Sequence, residues 1–416
     1  MSQTSVSPTD ANKRITSVDA LRGFALIGIL LTHIVEQYYS AMPPQGVHLH
    51  AHYDLADKVV QVLTEVLLRG KFFMLFSFLF GLSFFIQIDR ASQKGINFRP
   101  RFLWKVTLLF CIGYTHHMMY RGDILMTYSV LAVPLMLLYK CKIRTILPTV
   151  IFLFTVPRFI ALGITDALDY NVFIAPNRER LHYYFVLTRG EMLDLFKMNG
   201  TEGFINKWVY AFGPIGRGYQ VLGLFLLGMT FGKLRIAEDP EGNARFLKRT
   251  LLWSIVGLII SASLMAAYYL GLRPKVSSNP FIAGMIFYDL TNLFTTAIYI
   301  SGFLMLCRYR FFAPIDKALA PYGRTALTNY ITQSMIGTGL FYGYGLRWVG
   351  TLSPWRLALL GLGIALGQMC ISALWLRYMR FGPFEWLWRS GTYMKLQPLL
   401  KQKKKPSGEE TKVSQE

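Results

Sequence analysis

Acidic side chains are scarce in this chain: 23 Asp and Glu stand against 44 Lys and Arg, and charged residues of both signs make up 16% of the 416 positions. An ordinary soluble domain carries about a quarter charged residues, so this composition argues against one. Cysteine is also scarce. Cys111, Cys141, Cys307 and Cys370 have no paired spacing and indicate neither a disulfide framework nor a thiolate metal site. The chain does not open with a short apolar core and a small-residue cleavage site. Its first apolar block begins near Ala20 and runs long, so that block is expected to stay in the mature protein. No soluble stretch carries a basic recognition element, and the net charge of +21 therefore does not point to nucleic acid.

Apolar residues are abundant, at 53%, and they fall in blocks of about 18 to 25 residues, long enough to cross a hydrocarbon layer as helices. The fold class expected is all-α, a polytopic membrane helix bundle of about ten spans. The windows are 20–42, 72–93, 102–120, 122–139, 143–163, 208–232, 250–271, 280–306, 324–346 and 355–378. Basic residues alternate with them. Lys13 and Arg14 precede the first window, Lys140, Lys142 and Arg144 fill the fourth loop, and Lys403 to Lys405 close the chain. By the positive-inside rule both termini are expected in the cytoplasm. The expected organisation is a cytoplasmic segment 1–19, a bundle 20–390 and a basic tail 391–416 held by anionic lipid.

Two outer segments stand out. Residues 43–71 contain His48, His50 and His52 and an amphipathic stretch, DLADKVVQVLTEVLLRG, while 164–207 carry five basic and six acidic residues in a helical pattern. The three histidines have no second ligand set, and no metal is expected.

Ionisable residues inside apolar spans are costly and face a polar interior. In SVDALRGFALIGILLTHIVEQYY, Ser17 is the expected N-cap and Asp19 lies in the first turn. Arg22 and His33 are eleven helical steps apart, which puts them on one face about 16 Å apart along the axis. His33 reads either as a site histidine or as a packing histidine bonded to a carbonyl. Around the short outer turn between the third and fourth spans, His116, His117, Arg121, Asp123 and Tyr128 form a second polar group, which reads either as a site or as a turn meeting headgroups. Arg69 and Lys71 border the second span, where they either bind an anion or snorkel. Arg217 begins an apolar run and needs a partner. Asn329 and Gln333 share a polar face with Thr325 and Tyr330, as substrate contacts or as helix packing. FGPFEWLWRS reads as an amphipathic inner-surface segment of structural use.

RITSVDALRGFALIGILL resembles the opening of the YeiB-like family of bacterial membrane proteins. KFFMLFSFLFGLSF, IGYTHHMMYRGDILMTYSVLAVPL, LGLFLLGMTFGK, YGRTALTNYITQSMIGTGLFYGYGL and FGPFEWLWRSGTY continue that resemblance, in order, over nearly the whole chain. The family resembles in turn the transmembrane acyltransferases, including the acyltransferase-3 and heparan glucosaminide acetyltransferase proteins. Arg22 and His33 match the arginine and histidine of the acyltransferase-3 first helix, where the histidine is the proposed base. YeiB-like chains more often carry asparagine there, so His33 departs toward the acyltransferase-3 pattern.

The resemblance implies an inner-membrane acyltransferase moving an acyl group, acetyl first of all, from cytoplasmic acyl-CoA to a hydroxyl or amine reached from the outer side. His33, His116 and Asp123 are then the expected catalytic residues. Arg22, Arg217, Arg69 and Lys71 would hold the donor, and Tyr128, Asn329 and Gln333 the acceptor, a small molecule, glycan or lipid-linked group. Membrane lipid is the expected partner, and a homodimer is compatible with the sequence. The alternative is a small-solute transporter, in which His33, Arg217 and Asp123 bind solute or protons.

Overall fold

The protein is described by a computed structural model covering residues 15–40, 43–47, 54–167, 177–271 and 280–401. The histidines 48, 50 and 52 and the terminal lysine cluster lie outside the described residues. Among the described residues the fold is all-helical, apart from an isolated antiparallel bridge between Met379 and Leu400. Among the described residues six helices are long and apolar enough to cross a membrane: Thr16–Val35, Leu55–Gln93, Ile143–Thr165, Ala244–Tyr269, Ala283–Leu306 and Pro354–Tyr378. The remaining expected windows are also helical, but as shorter or more polar pieces.

α1 (Thr16–Val35) begins earlier than the sequence suggests. Ile15 is its N-cap, and Ser17 lies inside the first turn. There Asp19 pairs with Arg22 at 2.9 Å, so the acidic first turn is used for an ion pair as well as for the helix dipole. α1 stops at Val35 rather than near residue 42, because Gln37 and Tyr38 adopt left-handed backbone (φ 53° and 54°) that no helix can continue.

α2 (Leu55–Leu63) leads through a π-helical turn to α3 (Lys71–Gln93), with Gly70 at φ 80° making the corner. α4 (Arg99–Met119) and α5 (Leu125–Leu137) form a hairpin, followed by α6 (Ile143–Ala167). The described residues from 177 to 212 form three short helices, α7 (Asn177–Arg189), α8 (Met192–Met198) and α9 (Phe204–Phe212).

The expected span at 208–232 is broken, since α9 ends at Gly213 and α10 (Arg217–Lys233) starts after left-handed Gly216. α11 (Ala244–Tyr269) and α12 (Pro280–Leu306) follow. The window at 324–346 holds one helix, α14 (Ala326–Phe341), which follows α13 (Ala313–Arg324) after Thr325. α15 (Pro354–Tyr378) and α16 (Pro383–Tyr393) complete the chain.

Close crossings centre on glycine. A Cβ at Gly228 of α10 would collide with the Phe78 carbonyl of α3, and one at Gly323 of α13 would collide with the Asp19 carbonyl of α1. In apolar surroundings such contacts supply the packing that the hydrophobic effect does not. α16 is fixed by its Glu385, whose carboxylate accepts from the Leu327 and Thr328 amides (2.6 and 3.0 Å) and from Thr328 Oγ1 (2.6 Å). The segment thus caps α14 from outside it, and Trp388 Nε1 donates to the Lys105 carbonyl at 2.9 Å.

Candidate functional site

The ends of α1, α4 and α14 bring the predicted histidines together. His33, in the last turn of α1, packs its ring against Tyr38 and Tyr120, both at 5.3 Å between centroids. His116, in the last turn of α4, stands 6.2 Å from the Tyr120 ring and 5.1 Å from the Tyr330 ring. Tyr120 is therefore the shared neighbour of the two histidines.

His116 Nδ1 lies 2.7 Å from Asp123 Oδ1, and both side chains are buried. Asp123 also accepts the main-chain N–H groups of Leu125 (3.2 Å) and Met126 (3.0 Å), capping α5. A carboxylate already accepting from amides is held as an acceptor, so Nδ1 of His116 carries the hydrogen. Nε2 is buried and without a hydrogen-bond partner among the described residues.

The hairpin turn that carries Asp123 is braced by α9. Lys207 Nζ donates to the Asp123 and Arg121 carbonyls, the latter at 3.3 Å. Burial pushes the Lys207 ammonium down to about 8, against the pull of Asp123. Arg121 lies over the Tyr183 ring of α7 at 4.9 Å. Tyr330 Oη accepts from the Ile124 amide at 3.3 Å, tying α14 to the same turn.

Of the four cations expected on one donor, Arg69, Lys71 and Arg217 all neighbour Tyr288, whereas Arg22 stands apart. Arg22 is at the other end of α1, bonded to Asp19 and to Ser83 Oγ (2.8 Å), with Gly323 O at 3.3 Å. Lys105 stands nearby, 4.4 Å from the Trp388 ring centroid and within electrostatic reach of Arg22 and Arg389. Arg69 is at the histidine end, paired with Glu36 (3.0 Å) and Glu65 (3.1 Å). Lys71 Nζ donates to the Glu65 carbonyl at 2.6 Å. Arg217 pairs with Asp289 at 3.3 Å and lies 5.0 Å from the Phe73 ring centroid.

The three expected acceptor contacts are engaged within the bundle. Tyr128 Oη bonds Ser77 Oγ at 2.6 Å. Asn329 Nδ2 bonds the Tyr322 carbonyl (3.0 Å), Thr325 Oγ1 (2.8 Å) and Ser372 Oγ (3.0 Å). Gln333 Nε2 bonds Tyr322 Oη (2.5 Å) and Gln368 Oε1 (3.1 Å). Asn329 and Gln333 thus join α13, α14 and α15.

Two buried charged residues escaped the sequence reading. Arg158 of α6 is fully buried, with Nη1 2.6 Å from Asp289 Oδ2 of α12. The signal was present, because each is an ionisable residue inside an apolar span, and their signs are opposite.

A bundle that is helical with six helices of membrane-crossing length among its described residues, and with histidine, aspartate and arginine buried inside it, is an integral membrane protein. The model of the family described as "Protein of unknown function (DUF418)" matches residues 231–395. The chain is 30% identical to the uncharacterized protein YxaH of Bacillus subtilis (strain 168), over 96% of this chain and 99% of that one. It is 28% identical to the uncharacterized protein YeiB of Escherichia coli (strain K12), over 93% and 98%. An uncharacterized 39.9 kDa protein from the amylase 3' region of Bacillus acidopullulyticus is 27% identical, over 96% and 99%. The chain belongs to the YeiB-like (DUF418) family, as its segments lead one to expect.

Proposed function

We propose that the protein is an acyl-CoA-dependent acyltransferase of the bacterial cytoplasmic membrane, and that it transfers an acetyl group to a hydroxyl or amine arriving at the histidine end of the bundle. The observation that carries this reading is the buried pair His116–Asp123, 2.7 Å apart, with His116 Nε2 unpartnered. A histidine oriented by a carboxylate and free at its second nitrogen is the arrangement a general base requires.

In the reaction, Nε2 takes the acceptor's proton as its oxygen or nitrogen attacks the thioester carbonyl. The carbon–sulfur bond then breaks, and the thiolate leaves with the proton carried by the imidazolium. In this proposal His33, the other ring neighbour of Tyr120, donates a hydrogen bond to the developing oxyanion. The sequence alone put the base at His33. The carboxylate partner of His116 favours the second histidine for that role.

Arg22 and Lys105 are the cations suited to the donor phosphates, since they lie at the opposite end of the bundle. About 16 Å of helix separates Arg22 from His33, a distance that the donor's long thioester arm would span. This reading takes ten membrane crossings with both chain ends in the cytoplasm, supported by the alternation of basic loops. The competing reading, a small-solute transporter without covalent chemistry, draws on the Arg158–Asp289 pair buried between two apolar helices.

The deciding experiment uses detergent-purified full-length protein and acetyl-CoA, and follows saturable binding and free-thiol release. The expected result is slow thioester turnover that is lost in His116→Ala and in His33→Ala, with binding kept in both. Folded protein that binds no acetyl-CoA at millimolar concentration would abandon this proposal in favour of transport.

A further inference from the structure

The α10 N-terminus collects more positive charge than its neighbours balance. Arg217 opens this helix after left-handed Gly216, and no side chain caps it. Arg158 of α6 runs directly against the same corner: a Cβ added to Gly216 would sit 2.8 Å from its Cγ and 2.9 Å from its Nε. A helix N-terminus already carries about half a positive charge, so two guanidinium groups there oppose the dipole. The acidic group touching them is Asp289, which Arg158 approaches at 2.6 Å and Arg217 at 3.3 Å. The other charged side chain nearby is Lys71, 5.8 Å from the ring of Tyr288, the residue preceding Asp289. Glu65 is engaged with Arg69.

Apart from Arg158 Nη1 and Asp289 Oδ2, which meet as an ion pair without a hydrogen bond, the unmatched atoms of the cluster share one chemical character. Arg158 is fully buried, and its Nε and Nη2 have no hydrogen-bond partner among the described residues. Gln220, also fully buried, accepts at Oε1 from Arg217 Nη1 at 3.0 Å, and its Nε2 has no partner among the described residues. All three unmatched groups are N–H donors. A buried donor left unpaired is costly, and three of them beside two cations and a helix N-terminus form the complement of an oxyanion. The Arg217 side chain is 22% exposed, so the cluster opens to the surface along it. From this geometry we propose that Arg158, Arg217, Gln220 and the first turn of α10 bind a phosphate group, carried by a membrane lipid headgroup or by a free phosphate compound. Asp289 acts as the positioning residue that holds the two guanidinium groups apart. The site stands independently of the acyl-transfer reading.

The test follows thermal unfolding of the full-length protein, washed free of copurifying lipid in detergent. The probes are inorganic phosphate or dioctanoyl phosphatidylglycerol, against chloride at matched ionic strength. A saturable rise in Tm with either probe is expected. Both probes acting in competition would identify a free oxyanion site, and the lipid acting alone would identify a headgroup site. In Arg217→Gln, which leaves Arg158 and Asp289 as a balanced pair, half-saturation should move upward about tenfold or more, the worth of a charge-assisted hydrogen bond. The charge-neutral double variant Arg158→Gln/Asp289→Asn should lose the response, whereas His116→Asn should keep it. The proposal is overturned if neither probe exceeds chloride, or if folded Arg217→Gln responds like the wild type.

Discussion

His116 and Asp123 meet across the α4–α5 turn at 2.7 Å, and the aspartate that orients the histidine also caps the second helix of the hairpin. The same carboxylate therefore serves local structure and the candidate chemistry, and the two uses can be separated by substitution. Asp123→Asn keeps one acceptor oxygen where the carboxylate offers Oδ1 to the Leu125 amide and Oδ2 to the Met126 amide, and it removes the charge that stabilises a protonated His116. Thioester turnover is expected to fall by about a hundredfold or more, with little change in acetyl-CoA binding. Turnover equal to the wild type would remove Asp123 from the mechanism.

Glu385 supports the fold from a distance. Its carboxylate accepts three hydrogen bonds at the start of α14. Glu385→Ala is expected to destabilise the protein by about 3 kcal/mol, and Glu385→Gln by less, as read from thermal or denaturant unfolding in detergent. Equal stability of all three forms would show that α16 does not depend on this contact.

The α3–α10 crossing predicts a contrast between two glycines. Alanine at Gly228 drives a methyl group into the Phe78 carbonyl, whereas a Cβ at Gly367 of α15 meets nothing within 4 Å. Gly228→Ala should destabilise by about 1–3 kcal/mol. Gly367→Ala should be neutral or stabilising by up to about 1 kcal/mol, because alanine restricts the unfolded chain. Unfolding midpoints of the two variants, compared side by side, test the crossing.

Removing Asp289 alone leaves two arginines without their shared carboxylate. Asp289→Ala is expected to cost about 3–5 kcal/mol, while Arg158→Gln/Asp289→Asn together should cost much less. An additive pair of single-variant losses would contradict the ion pair.

Ten crossings require residues near 240 and after 401 to face the cytoplasm, and residues near 345 to face outward. Reporter fusions at these three points should alternate accordingly. A cytoplasmic signal at the middle point would reject the ten-span topology.

The sequence by itself determined the solvent, the helical class and the family. The length and spacing of apolar runs are properties of composition along the chain, and they do not depend on what packs against what. It also picked out His33, His116 and Asp123 as ionisable or polar groups near outer helix ends.

The tertiary structure decided which of these meet. The predicted shared face of Arg22 and His33 is a fact about one helix. The contact of both histidines with Tyr120 depends on how α1 and α4 end side by side, and that register is set by interhelical packing. The break of the 208–232 span at Gly213–Gly216 could not be read from hydropathy, because a helix break within an apolar run leaves the run apolar. Arg158 and Asp289 were each visible as single charges in apolar windows, but the pairing that makes them tolerable inside the bundle joins α6 to α12 across 131 positions of sequence, from residue 158 to residue 289.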